Sequence, residues 1–143
     1  MNAPLYAILL DGGFLTKKLF AQLGRHPTAD DIVNFCDGLR QSPHVANYEL
    51  LRIYYYDAPP SSQAVAKPIS RTRLNLASTD RFRLSQSLYD QLILKPHFAL
   101  RMGETTLSPA KWRIKTRVAK ELMRAPRALA DEDFDLDLSQ KGS

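Results

Sequence analysis

A run of five apolar residues at positions 6–10, YAILL, stops at Asp11-Gly12-Gly13 and gives way to a helical pattern. That order fits a buried central parallel strand entering a strand-to-helix turn. Beyond the turn, Leu15, Leu19, Phe20 and Leu23 recur on one helical face with Lys17 and Lys18 turned outward, and Gly24 supplies a helix end. Thr28 then caps a second helix, with Asp30 and Asp31 in the first turn where the helix dipole favours negative charge. Ile32, Val33, Phe35, Cys36 and Leu39 form its apolar side, and Gly38 with Ser42-Pro43 marks its end.

The next run, YELLRIYYY at 48–56, is rich in strand formers and ends at Asp57, ahead of Ala58-Pro59-Pro60. Strands separated by helices imply a parallel sheet with right-handed crossovers, so the class is α/β in a single domain over 1–143. Asp11 and Asp57 then stand at the same carboxyl edge, where open α/β sheets bind ligands. Residues 59–77 are rich in Pro, Ser and Gln and then basic, with Lys67, Arg71 and Arg73, as in a long surface loop. A third helix begins at Ser78 or Thr79 and closes at Lys95-Pro96. FALRM at 98–102 reads as a third strand, and KWRIKT at 111–116 alternates as a half-exposed strand does. These two are expected to pair as a hairpin. Residues 118–123 suit a short helical turn, and FDLDL at 134–138 an edge strand. Two or three parallel strands are little sheet for three helices. The pattern predicts a sheet completed by a second chain or, preferably, a chain that is the N-terminal portion of a longer domain.

A chain of 143 residues, 44% apolar and 24% charged, supports one folded core, and its composition carries no signature of disorder. It offers neither an apolar run of membrane-spanning length nor a secretory leader. Cys36 is the only cysteine, which excludes an internal disulfide, fits the reducing cytoplasm, and suits a small core residue. The charge is uneven. Residues 1–127 hold 19 Lys and Arg against 10 acids, a net +9, while 128–143 hold Lys141 against five acids, a net −4. A basic body suits a phosphate-bearing partner, although a solvated basic surface gives the same count.

An aspartate at a strand end beside Gly-Gly lets a ligand approach the backbone while the carboxylate meets a hard cation such as Mg²⁺ or Mn²⁺. Several such carboxylates can hold metals that orient water and stabilise phosphate charge during hydrolysis. The same residues also serve strand-to-helix turns for conformational reasons alone. Asp11-Gly12-Gly13-Phe14 lacks the dinucleotide-binding spacing and no P-loop word is present. His26, His44 and His97 each adjoin or lie beside a proline turn and make no zinc grouping, and no nucleophile elbow exists. The richer material is aromatic and basic: Arg52 with Tyr54, Tyr55 and Tyr56, the arginines of 71–83, Arg101, and Trp112 with Arg113 and Lys115. Stacking rings and cations together hold single-stranded RNA or DNA. Core tyrosines and solvated arginines would look the same.

In order along the chain, ILLDGGFLTKKL, LLRIYYYDAPP, FALRMGE, KWRIK and DLSQKG resemble the NYN domain family, of the LabA-like branch within the PIN-like nucleases. The resemblance implies a PIN-like three-layer α/β sandwich with a mainly parallel sheet and a metal-dependent ribonuclease using Mg²⁺ or Mn²⁺ on single-stranded RNA. By it, Asp11 matches the first metal-binding acid and Asp57 an auxiliary catalytic acid. Arg101, Gln140, Lys141 and Gly142 match further motif positions, and Arg52, Arg71, Arg73, Arg101 and Lys141 are the expected substrate-binding cations. The family pattern continues past Gln-Lys-Gly into further acids. Here Ser143 follows, so the acidic cluster is expected to be partial, and a non-catalytic RNA- or protein-binding module is the alternative.

Overall fold

Alternate residues of the expected strands bury against helices, and this sorts the chain into a parallel sheet. The computed structural model describes residues 3–105, 111–137 and 141–142. β1 (Leu5–Asp11) runs straight into α1 (Gly12–Leu23); α2 (Ala29–Arg40) follows, and β2 (Glu49–Asp57) returns beside β1. After β3 (Ala64–Ala66) and β4 (Arg73–Asn75), α3 (Asp80–Leu92) leads into β5 (Phe98–Met102). The sheet order is β1-β2-β5, all parallel. The chain continues through β6 (Glu104–Thr105), β7 (Trp112–Ile114), α4 (Thr116–Arg124), β8 (Phe134–Leu136) and β9 (Lys141–Gly142). No helix among the described residues is long and apolar enough to cross a membrane.

Local chemistry sets the helix limits. Gly24 adopts φ 72° and its N–H closes α1 on the Phe20 carbonyl, a conformation that favours glycine. Thr28 and Asp31 cap α2 reciprocally, and Arg25 grips the same Asp31 at 2.7 Å. Thr79 accepts from the Phe82 N–H, which fixes Asp80 as the first residue of α3.

The core lies on one face of the sheet. Ile8, Leu10, Ile53 and Tyr55 meet Leu15 and Leu19 of α1, Ile32 and Cys36 of α2, and Leu88 and Leu92 of α3 in a single cluster. Tyr6, Phe98 and Leu100 pack against it. The intervening strand residues face outward: Leu5, Ala7, Arg52, Tyr56 and Arg101 are exposed, and Leu9 keeps 65% of its surface. This corrects the expectation that 6–10 is a buried central strand. β2 holds the centre, and among the described residues all three large helices cover the same side. The helix faces are also narrower than the apolar spacing predicts, since Phe20, Leu23 and Leu39 are exposed.

Outside the sheet, three expectations change. The basic stretch 59–77 contains a hairpin: β3 pairs with β4, Val65 is buried beneath it, and the Lys67 N–H closes the turn on the Thr72 carbonyl at 2.9 Å. The expected pairing of 98–102 with 111–116 does not form. β7 pairs with β8 and β6 with β9, because the acidic segment folds back to supply the partner strands. That segment is anchored. Asp131 accepts from the N–H groups of Ile69 and Ser70, and Arg127 clasps the buried Asp133 through two bonds of 2.8 and 2.9 Å. The guanidinium holds the Asp133 carboxyl well below the usual range. The acidic segment is thus a pinned structural element, and Trp112 donates its ring N–H to the Ala66 carbonyl to join the β7–β8 pair to the β3–β4 hairpin.

Candidate functional site

Asp11 closes β1 in extended conformation and caps α1, its Oδ1 accepting from the Phe14 N–H at 3.1 Å. The next residue must be glycine for steric reasons, because a Cβ on Gly12 would stand 2.6 Å from Tyr55 Cζ. At Gly13 the missing side chain opens space between two acids: a Cβ there would lie 3.6 Å from Asp11 Oδ1 and 4.0 Å from Asp57 Oδ1. In the parallel register Asp11 sits opposite Tyr56, so Asp57 projects from the opposite face one residue further along. The two carboxylates thus meet at one corner, over the side-chain-free Gly13 at the start of α1.

Asp57 is held from two sides. Its Oδ1 accepts from the Ala58 N–H and its Oδ2 from the Tyr89 hydroxyl, each at 2.8 Å. The Gly103 N–H bonds its carbonyl at 2.7 Å, tying the ends of β2 and β5 together. Burial, and then the charge of Asp57, push the Tyr89 phenol well above its ordinary value. Burial raises Tyr55 in the same way, followed by the charges of Asp57 and Asp11. Both phenols therefore stay protonated at neutral pH, and Tyr89 uses its proton to donate to Asp57. The Tyr55 hydroxyl is buried without a hydrogen-bond partner among the described residues, and it feels both carboxylates. Cys36 is buried in α2, where burial pushes its thiol up to about 11, so it serves the core.

A cleft of about 310 Å³ opens beside this corner, lined by Gly13, Thr16, Lys17, His26, Asp57, Arg81 and Tyr89 with Phe20, Ala58 and Pro60. Hard carboxylate oxygens on a glycine-cleared corner suit Mg²⁺ or Mn²⁺, which use one or two carboxylates and keep several waters. Lys17 and Arg81 on the same walls offer charge to phosphate oxygens. No set of three or more His, Cys, Asp or Glu side chains comes together among the described residues.

Of the expected site residues, Asp11 and Asp57 converge. Arg52 and Arg101 lie on the helix-free face, where Arg101 stands beside Tyr56 in register and its guanidinium carbon lies 5.3 Å from the Tyr54 ring centroid. Arg71, at φ 64° in the hairpin turn, and Arg73 in β4 are exposed, and no hydrogen bond or ion pair among the described residues joins them to either carboxylate. Lys141 is placed only by the pairing of its backbone with Thr105, and Gln140 lies outside the described residues. The sequence marks Arg81 and Tyr55 only within its aromatic and basic material, and carries no signal that Lys17, His26 or Tyr89 belongs to this site. Tyr89 sits beside Leu88 and three residues before Leu92, so its spacing reads as core, and nothing local signals a bond to Asp57 across 32 residues.

No protein-family model, curated protein or solved structure matches this chain. Its functional reading rests on this geometry and on the sequence words.

Proposed function

We propose that the carboxyl edge of the sheet is a divalent-cation-dependent site for hydrolysis of RNA phosphodiesters, of the PIN-like kind. One observation carries the reading: the Oδ1 atoms of Asp11 and Asp57 approach the same empty position over Gly13, at 3.6 and 4.0 Å. Asp11 is the principal ligand and Asp57 the second. Bound there, Mg²⁺ or Mn²⁺ supplies Lewis acidity toward phosphate and lowers the pKa of water. The chain's own groups do the rest. Tyr89 and the Ala58 N–H fix the Asp57 carboxylate, as a preorganised site requires. Lys17 and Arg81 face the scissile phosphate from the cleft. The basic surplus of the body draws the polyanion in.

A second reading, an RNA-binding module without turnover, is favoured by a specific observation: among the described residues only two carboxylates meet, and both Asp57 oxygens already accept a bond. Incubation of the chain with single-stranded RNA and Mn²⁺ separates the two. The hydrolase reading expects cleavage that EDTA stops and Asp11→Asn abolishes. RNA binding with no cleavage, unchanged in Asp11→Asn, assigns the module instead.

A further inference from the structure

The helix-free face of the sheet sets exposed cations and a tyrosine ring beside the apolar Leu5, Ala7 and Leu9 of β1. Its middle row reads Leu9, Tyr54, Ala99 and its last row Asp11, Tyr56, Arg101, by direct pairing of β1, β2 and β5. Arg52, beside Ala7, adds a second cation. Neither Arg52 nor Arg101 has an acidic partner among the described residues, and Tyr56 keeps 45% of its surface. Arg101 already stacks over Tyr54, which leaves the Tyr56 ring free.

We propose that this face binds single-stranded RNA and leads it to the carboxyl edge, an inference that rests on the hydrolytic reading of that edge. Three features select this occupant. Exposed tyrosine and leucine surfaces accept unstacked bases, while two unpaired arginines accept the phosphates between them. A second copy of the chain would bring its own Arg52 and Arg101 to the contact, whereas a phosphate backbone brings acceptors alone. The last row is continuous with the site, since Tyr56 lies next to Asp11 in register and Asp11 meets Asp57 over Gly13. A strand lying along the row from Arg101 across Tyr56 therefore presents a phosphate to Asp11. A rigid duplex, with its bases stacked inward, cannot use the rings, so the face selects for single strands.

The test is fluorescence anisotropy of a fluorescein-labelled decauridine in EDTA, with the full chain and with Tyr56→Ala, Arg101→Gln and, as a control on the β3–β4 hairpin, Arg73→Gln. Both sheet positions are exposed, and circular dichroism checks that the variants fold. The expected result is binding weakened about tenfold by Tyr56→Ala and by Arg101→Gln, little by Arg73→Gln, with duplex RNA a poor competitor. Wild-type affinity in both sheet variants overturns the proposal, as does equal competition by duplex. A dimer in sedimentation velocity that Leu9→Glu disperses also overturns it, assigning the face to a second copy. The two readings fail separately. Cleavage lost in Asp11→Asn but normal in Tyr56→Ala and Arg101→Gln refutes only the sheet track, and binding lost in those two without any Asp11-dependent cleavage refutes only the hydrolase.

Discussion

The two faces of the β1-β2-β5 sheet are built from alternate residues of the same strands, yet they have opposite chemistry. On one side Ile8, Leu10, Ile53 and Tyr55 disappear beneath three helices. On the other, Leu9, Arg52, Tyr56 and Arg101 stay exposed. The difference teaches where stability and function separate: the covered face holds the fold, and the corner where both faces end holds the two carboxylates. Asp11 belongs by register to the open face and Asp57 to the covered one, and parallel order ends both strands at the same edge, where Gly13 leaves the space between their carboxylates clear.

The largest effects should come from the covered face. Ile53 is 2% exposed, and Ile53→Ala should destabilise the protein by about 3 kcal/mol in urea unfolding, whereas Leu9→Ala, on the open face one register step further along, should change stability by less than about 0.5 kcal/mol. Equal losses would mean that the two faces are equally packed. At the corner, Gly12→Ala sets a methyl against the Tyr55 ring and should cost about 2 kcal/mol with a lower Tm. Gly38→Ala in α2 meets nothing within 4 Å and should raise Tm slightly, which controls for glycine removal as such.

Removal of one hydroxyl asks less. Tyr89→Phe deletes the donor to Asp57 and should cost about 1.5 kcal/mol, together with a fall in any metal-dependent turnover. Unchanged turnover would free Asp57 from dependence on α3. Away from the sheet, Asp133 is held below its ordinary value by Arg127, so its contribution is complete above the unfolded carboxyl value of about 4 and is lost as pH falls toward the folded one. The stability gap between wild type and Asp133→Asn should therefore narrow as urea unfolding is repeated from pH 6 down to pH 3. A gap constant with pH would show that the clasp contributes no titrating charge.

Much of the sheet was legible because local signals agreed. The apolar run ending at Asp11-Gly12-Gly13, the caps at Thr28 and Thr79, and the run ending at Asp57 each have a local cause, and the convergence of Asp11 and Asp57 follows from parallel order. What was not legible depends on distant partners. A five-residue apolar run cannot say whether one face or two is covered, so the exposure of Leu9 came only with the packing. The hairpin within 59–77 needs Asp131 to bond Ile69 and Ser70, and β7 takes β8 in preference to β5, contacts that span up to 62 residues. Tyr55 beneath Gly12 and Tyr89 against Asp57 are likewise long-range, and both read as ordinary core positions along the chain.

The central claim is that Asp11 and Asp57 together hold one divalent cation. Electron paramagnetic resonance of Mn²⁺ titrated with the full chain tests it directly, because bound and free Mn²⁺ give separate signals. The account predicts one bound Mn²⁺ per chain in the wild type, with binding lost in Asp11→Asn and weakened in Asp57→Asn while circular dichroism stays unchanged. Equal Mn²⁺ binding by all three proteins, or none by the wild type, would contradict it.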